Sequence, residues 1–198
     1  MRTVAALALA TLLPSCAAPA PSPETRYQRW LAAGHRQDAL HYRGYLQRES
    51  ATDAVPMNAL LRTSRRWRIC LHDEFSIPPP ELWRNMPPTL RVVRELRDAR
   101  ILDPALARSV YRDAEVNRCA GGSAGSKHRE NRAIDFDLPP SPDNVARLCA
   151  FWRTRGPELK LGLGFYTPTA IHLDTAGFRT WGSDHHRSTS LCIKRRSL

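Results

Sequence analysis

The stretch of sequence that decides the fold is residues 126–137, which read SKHRENRAIDFD. Its second half, residues 133–137, alternates apolar and acidic side chains, and this period of two predicts a β-strand. His128 stands in the loop before the strand, and six residues separate it from Asp135. The segment therefore joins a predicted strand to two residue types that bind metal ions.

A third residue of this kind lies further along the chain. Residues 162–166 and 170–173 are predicted as two more short strands, and His172 lies in the second. Together, His128, Asp135 and His172 form a three-ligand set that would leave the fourth position of a zinc ion open for water. Zinc lowers the pKa of such a water towards neutrality, which suits hydrolysis. The chain has seven histidines, so the triple by itself has little specificity.

The remaining sequence predicts helices around these strands. Helices are expected over residues 25–50 (two, broken near Gly34), 55–68 (entered through Pro56), 89–99 (capped by Thr89) and 143–153. A further strand is expected over residues 109–111, and the proline-rich residues 75–88 are expected to be irregular. This mixture predicts an α+β fold, with a small antiparallel sheet flanked by helices and a helical N-terminal extension.

Composition narrows the class of protein. Hydrophobic residues make up 42% of the 198, which is enough for a core and excludes global disorder. The formal net charge of +11 favours a polyanionic partner, without choosing among nucleic acid, anionic lipid and cell-wall polymer. The arginine-rich residues 62–68 around Trp67 are interpreted as a solvated basic helix face. No nucleic-acid partner is expected, because the first residues of the chain resemble an export signal. We expect a monomer.

The first residues resemble an export signal. A single arginine, an apolar run over residues 4–13 and the order Leu13-Pro14-Ser15-Cys16 resemble a bacterial lipobox, in which Cys16 would carry the lipid. Residues 1–15 are therefore predicted to be a signal peptide, and residues 16–24 a Pro/Ala tether. Membrane attachment is expected through this anchor alone, facing the periplasm, and by resemblance on the outer membrane where the cell has one.

The other four cysteines are Cys70, Cys119, Cys149 and Cys192. An even number in an exported chain predicts two disulfides, and the sequence leaves all three pairings open. Because no CxxC pair occurs, these cysteines do not resemble a four-cysteine zinc site.

Three blocks of sequence resemble the zinc D-alanyl-D-alanine peptidases (peptidase M15), which have the hedgehog-like metallopeptidase fold. Residues 126–135 are similar to the pattern SxHxxGxAxD, with Asn131 in the place of glycine. Residues 111–117 (YRDAEVN) resemble the YRSPExN segment. Residues 162–166 (GLGFY), 171–174 (IHLD) and 177–181 (GFRTW) resemble the GxGxY, VHxD and GxRxW segments. The resemblance covers roughly residues 89–182, which defines a predicted peptidase domain over residues 89–198 after an extension over residues 25–88.

The resemblance implies a role for each matched residue. His128, Asp135 and His172 would bind Zn²⁺, and Arg112 would hold the substrate carbonyl or the developing oxyanion. Ser126 and Asn117 would shape the loop or contact substrate. We expect Tyr111 and Tyr166 to be packing residues, and His185 and His186 to be an exposed pair rather than metal ligands.

Two departures from the pattern matter. Asn131 fits if the backbone there has a positive φ, because asparagine tolerates that conformation best after glycine. Relatives place an acid three residues before the last histidine ligand, where this chain has Thr169. Asp174 is therefore nominated either as the proton-handling catalytic residue or as a partner that orients His172.

The resemblance implies a zinc peptidase that hydrolyses peptidoglycan stem peptides or cross-links beside a D-amino acid. The alternative is a cell-wall-binding or scaffold lipoprotein on the same fold whose catalytic power has decayed. Thr169 is the residue that keeps this alternative open.

Overall fold

A computed structural model describes residues 20–194, and the side chain of Lys194 is excluded from the description. The predicted signal peptide and the predicted lipidation site at Cys16 lie outside this range. Among the residues described, no helix is long and apolar enough to cross a membrane.

A five-stranded sheet forms the centre of the fold. Its strands are β1 (Ala107–Ser109), β2 (Ala133–Asp137), β3 (Gly162–Phe165), β4 (Ala170–Asp174) and β5 (Arg179–Trp181). They lie in the order β1-β2-β4-β3-β5. The predicted α+β class and its flanking helices are confirmed. The sheet is mixed rather than purely antiparallel, because β5 docks on the far edge of β3 and runs parallel to it.

The helices surround this sheet. Their bounds are α1 (Pro23–Trp30), α2 (Arg36–Arg48), α3 (Met57–Leu60), α4 (Met86–Asp98), α5 (Ala114–Cys119), α6 (Asn144–Thr154), α7 (Gly156–Leu159) and α8 (Leu191–Lys194). The predicted break near Gly34 is confirmed: a π-helical segment, Leu31–His35, joins α1 to α2, and Gly34 has a φ of 116°. Only glycine adopts such a φ readily.

Four element predictions differ from the structure in their bounds. The helix predicted over residues 55–68 ends at Leu60, because the following chain pairs with residues 74–76 through the bonds Thr63 N–Glu74 O and Ser76 N–Leu61 O. Part of the segment predicted as irregular forms a 3₁₀ helix, Pro80–Asn85. The helix predicted over residues 89–99 begins at Met86, where prolines suit the first turn, so the prediction that Thr89 caps it is wrong.

The strand predicted over residues 109–111 ends at Ser109. Beyond it the backbone turns to other partners: Val110 N donates to Arg62 O, and Arg112 N donates to His128 O. This departure from the sheet carries Arg112 towards the loop that holds His128.

One hydrophobic core joins the N-terminal helices to the sheet. Tyr42 and Leu46 of α2 belong to the same buried cluster as Leu90 of α4 and Phe136 of β2. Residues 25–88 therefore pack on the predicted peptidase domain without a separate core.

The structure pairs the cysteines as Cys70–Cys119 and Cys149–Cys192, so the prediction of two disulfides is confirmed. The first joins the segment after α3 to the end of α5. The second joins α6 to α8.

Candidate metal centre

The sheet brings the three predicted ligands together. Asp135 on β2 lies opposite His172 on β4 in the antiparallel register, and His128 reaches them from the loop before β2. The atoms His128 Nε2, Asp135 Oδ1 and His172 Nδ1 lie 3.0–3.1 Å from one another. In a tetrahedral zinc site with bonds of about 2.0–2.1 Å, ligand atoms stand about 3.3 Å apart. The observed spacing is close to that value.

Hydrogen bonds behind each imidazole determine which ring nitrogen faces the centre. His128 Nδ1 is 2.6 Å from Val110 O, and a carbonyl oxygen can only accept, so Nδ1 carries the proton. His172 Nε2 is 3.1 Å from Asp174 Oδ2 and donates to that carboxylate. Both inward nitrogens are therefore acceptors, and together with Asp135 Oδ1 they direct three lone pairs at one point. Three lone pairs directed at one point repel one another unless a cation lies between them, so these residues fit a bound zinc ion.

The electrostatics of the three side chains agree with this interpretation. Burial lowers the pKa of His128 to about 4, so its ring is neutral at neutral pH. Burial alone would raise the pKa of Asp135, but His128, His172 and Arg112 outweigh it and hold that pKa well below its usual range. Burial opposes charge on His172 as well, yet Asp135 and Asp174 raise its pKa. The pocket is thus set to hold positive charge between an ionised carboxylate and two imidazoles.

Asp174 lies behind His172 rather than beside the metal centre. Its carboxylate is completely buried and accepts from both Nη1 and Nη2 of Arg179, at 3.0 and 2.6 Å, as well as from the amide of Ala176. Burial would raise its pKa, but the bonds from His172, Ala176 and Arg179 hold that pKa below its usual range. Of the two roles nominated for Asp174, this geometry favours the second, a residue that orients His172.

Two glycines of β3 leave room for this arrangement. A Cβ on Gly162 would lie 2.7 Å from Asp174 Oδ2 and from Arg179 Nη1, and a Cβ on Gly164 would lie 2.4 Å from the Trp181 ring. The GLG segment is therefore required by the close approach of side chains that support His172.

Arg112 is tied to the ligand set. Its Nη2 lies 2.5 Å from Asp135 Oδ2, and its Nε donates to Ser109 Oγ at 2.7 Å. Asp135 thus offers Oδ1 to the metal centre while Arg112 holds Oδ2. Arg112 therefore positions the metal ligand Asp135. Because it also lines the cleft, it lies where the predicted oxyanion-binding role requires it.

The sequence predicts a packing role for Tyr166, but its hydroxyl lies in the site. It donates to Asp135 Oδ1 at 3.3 Å, and the side chain is partly exposed in the cleft. Burial of the hydroxyl and the charge of Asp135 raise the pKa of Tyr166, so it remains a proton donor. The sequence signal for this role is that Tyr166 directly follows β3, the strand that pairs with the strand carrying His172.

An open cleft of about 520 Å³ lies over the three ligands. Ser126 and His185 line it, whereas Asn117 is buried and donates to Ser123 O at 2.8 Å. Asn117 therefore shapes the Gly/Ser loop. Thr169 is exposed, and Asp135 is the single carboxylate among the described residues that line the cleft. Asn131 has a φ of 50°, as its substitution for glycine predicts.

Comparison with known proteins identifies the family. A family model described as Peptidase M15 matches residues 56–174, which is more than half of the chain. The chain belongs to the Peptidase M15 family. No curated protein and no solved structure matches it significantly. In this peptidase the matched range includes all three predicted ligands. It begins inside the segment interpreted as an extension, so the domain boundary at residue 88 stays a prediction.

Proposed function

We propose that this M15 peptidase is a zinc enzyme that hydrolyses peptide bonds beside a D-amino acid in peptidoglycan stem peptides or cross-links. The observation that carries the proposal is the convergence of three acceptor atoms at the floor of an open cleft, each fixed from behind by a hydrogen bond. A zinc ion held there by His128, Asp135 and His172 would supply Lewis acidity and lower the pKa of a water molecule.

Other residues of the chain would orient the metal ligands and stabilise negative charge on the substrate. Val110 O and Asp174 hold the two imidazoles in the tautomers that present an acceptor to the centre. Arg112 holds Asp135 and adds positive charge to the cleft wall, where it favours a carbonyl oxygen that gains negative charge. Tyr166 donates a hydrogen bond at the same point.

Proton transfer needs a group that the ligand set does not use. The position occupied by acids in relatives is Thr169, and Asp174 is committed to Arg179 and His172. His185 lines the cleft, and an imidazole ring can both accept and release a proton. We assign it the role of accepting a proton from water and returning it to the leaving amine.

The predicted export signal and the positive charge support a cell-wall substrate, which the enzyme would reach from the predicted lipid anchor at Cys16. The second candidate function, a non-catalytic wall-binding protein, is favoured by one observation: the described cleft wall has no carboxylate besides Asp135.

A digestion experiment separates the two functions. Peptidoglycan fragments are incubated with the full chain or with His172→Ala and analysed by mass spectrometry. New peptide ends produced by the wild type and absent with the variant support the peptidase. Identical digests, with zinc still bound by the wild type, would support the binding protein instead.

A further inference from the structure

A second pocket opens beside the metal cleft and has an unusual charge. We call it the arginine pocket; it has a volume of about 320 Å³. Its charged lining residues are Arg26, Arg62, Arg65, Glu74, Arg108 and Asp137. Ser64 and Arg65 also line the metal cleft, so the two cavities share a wall.

The acids of the arginine pocket neutralise only half of its guanidinium groups. Glu74 pairs with Arg26 at 2.5 Å, and Asp137 pairs with Arg65 through Oδ1 and with Arg108 through Oδ2. Arg62 has no carboxylate within salt-bridge distance among residues 20–194. Four guanidinium groups thus face two carboxylates, which leaves an excess of two positive charges.

Within the described chain, Arg62 lacks a counter-ion that an anionic ligand could supply. It is 91% buried, and its Nη1 donates only to a neutral acceptor, Ala107 O, at 3.1 Å. Its Nε is buried and finds no acceptor in the part of the chain that the structure describes. Burial, and then the charge of Arg108, lower the pKa of Arg62. A buried cation without a counter-ion is costly, and an anion in the pocket would offset that cost.

The position of the arginine pocket relative to the metal centre sets the kind of ligand. Asp135 and Asp137 lie two residues apart on one face of β2. About 7 Å of strand therefore separates Asp135, at the metal centre, from Asp137, which holds Arg65 and Arg108 in the arginine pocket. An extended peptide spans about 3.3–3.6 Å per residue. A peptide whose scissile carbonyl lies at the metal centre would therefore place the residue two positions away at the arginine pocket.

We propose that the arginine pocket is a specificity subsite that binds a carboxylate carried by the substrate peptide, two residues from the residue whose carbonyl is attacked. The inference rests on the proposed function and narrows its substrate to acidic peptides. The free carboxylate would be the counter-ion that Arg62 lacks, and Arg65 would guide the peptide along the shared wall.

The test uses two fluorescein-labelled pentapeptides that end in D-Ala-D-Ala and differ only in glutamate or glutamine at the second position. Binding to the EDTA-treated full chain is followed by fluorescence anisotropy, since the arginine pocket contains no metal ligand. A charge-assisted contact predicts that the glutamate peptide binds about 10-fold or more tightly than the glutamine peptide. Arg62→Gln should abolish this ratio, and Arg108→Gln should lower it, because it removes one of the two excess positive charges of the pocket. The control Arg36→Gln, an exposed arginine on α2, should retain it.

Equal binding of the two peptides by the wild type would overturn the subsite, as would a ratio that survives in both folded pocket variants. If Arg62→Gln does not fold, as judged by circular dichroism, the subsite is tested by the affinity ratio of the two peptides for the wild type and for Arg108→Gln. Hydrolysis of the same peptides by the zinc-loaded chain separates the two proposals. Cleavage of both at equal rates refutes the subsite and keeps the peptidase, whereas selective binding without cleavage refutes the peptidase and keeps the subsite.

Discussion

His172 and Asp174 lie on the same face of β4, and the imidazole stands between Asp174 and the other ligands. Its Nε2 is 3.1 Å from Asp174 Oδ2, while its Nδ1 is 3.0 Å from Asp135 Oδ1. The two-residue spacing puts both side chains on one side of the strand. Asp174 therefore supports His172 from behind and does not reach the metal centre itself. Arg179 then fixes Asp174 from the opposite side.

This relationship predicts the effect of Asp174→Asn. Because an amide group cannot replace the ionised acceptor for both His172 and Arg179, zinc affinity should fall about 10- to 100-fold, and activity at saturating zinc should recover in part. Zinc titration against a competing chelator measures the affinity. Asp38→Asn, an exposed acid on α2, is the control and should bind zinc like the wild type. Unchanged affinity with lost turnover would return Asp174 to a catalytic role.

The glycines of β3 give an independent test of the same support. Gly162→Ala would force its methyl group against Asp174 and Arg179, and we expect a loss of stability of about 1–3 kcal/mol together with weaker zinc binding. Gly125→Ala is the matched control, since nothing lies within 4 Å of its added carbon. Thermal and urea unfolding measure the difference. A Gly162→Ala protein as stable as the control would show that the close approach is not required.

The assignment of His185 as the proton-transfer residue predicts a loss of turnover without a loss of metal. His185→Ala should lower kcat about 10²- to 10⁴-fold at unchanged zinc content. The neighbouring His186→Ala is the control, because His186 is exposed and does not line the cleft. Activity of His185→Ala within a few-fold of wild type would exclude the assignment and leave Tyr166 as the candidate, tested in turn by Tyr166→Phe.

The disulfide between α6 and α8 should stabilise the fold without touching the cleft. The double variant Cys149→Ser/Cys192→Ser opens a loop with a sequence separation of 43, and the free energy of unfolding should fall by about 2–5 kcal/mol. Zinc affinity measured below the unfolding transition should stay the same. A double variant with wild-type stability would show that the packing of α8 is sufficient.

The sequence predicts the ligand set and much of the sheet because both depend on local patterns. Strand β2 follows directly from its alternation, and the SxH and IHLD segments place three ligands on or beside neighbouring strands. Asn131 likewise takes the positive φ that its replacement of glycine indicates.

Other features depend on long-range contacts that no local pattern encodes. The helix predicted over residues 55–68 gives way to backbone pairing with residues 74–76. Asp174 is withdrawn from the cleft by Arg179, which lies beyond the turn after β4. Tyr166 enters the site only because β3 lies beside β4. The unpaired charge of Arg62 becomes visible only when its burial and the partners of neighbouring arginines are known.

The most direct test of the central claim is the zinc content of the purified full chain, measured by elemental mass spectrometry after dialysis against trace zinc. Three inward acceptors predict about one zinc ion per chain in the wild type and a large loss of zinc in His172→Ala, with the fold retained by circular dichroism. A wild-type chain that stays metal-free at micromolar zinc, or a His172→Ala chain that holds as much zinc as the wild type, would contradict the account.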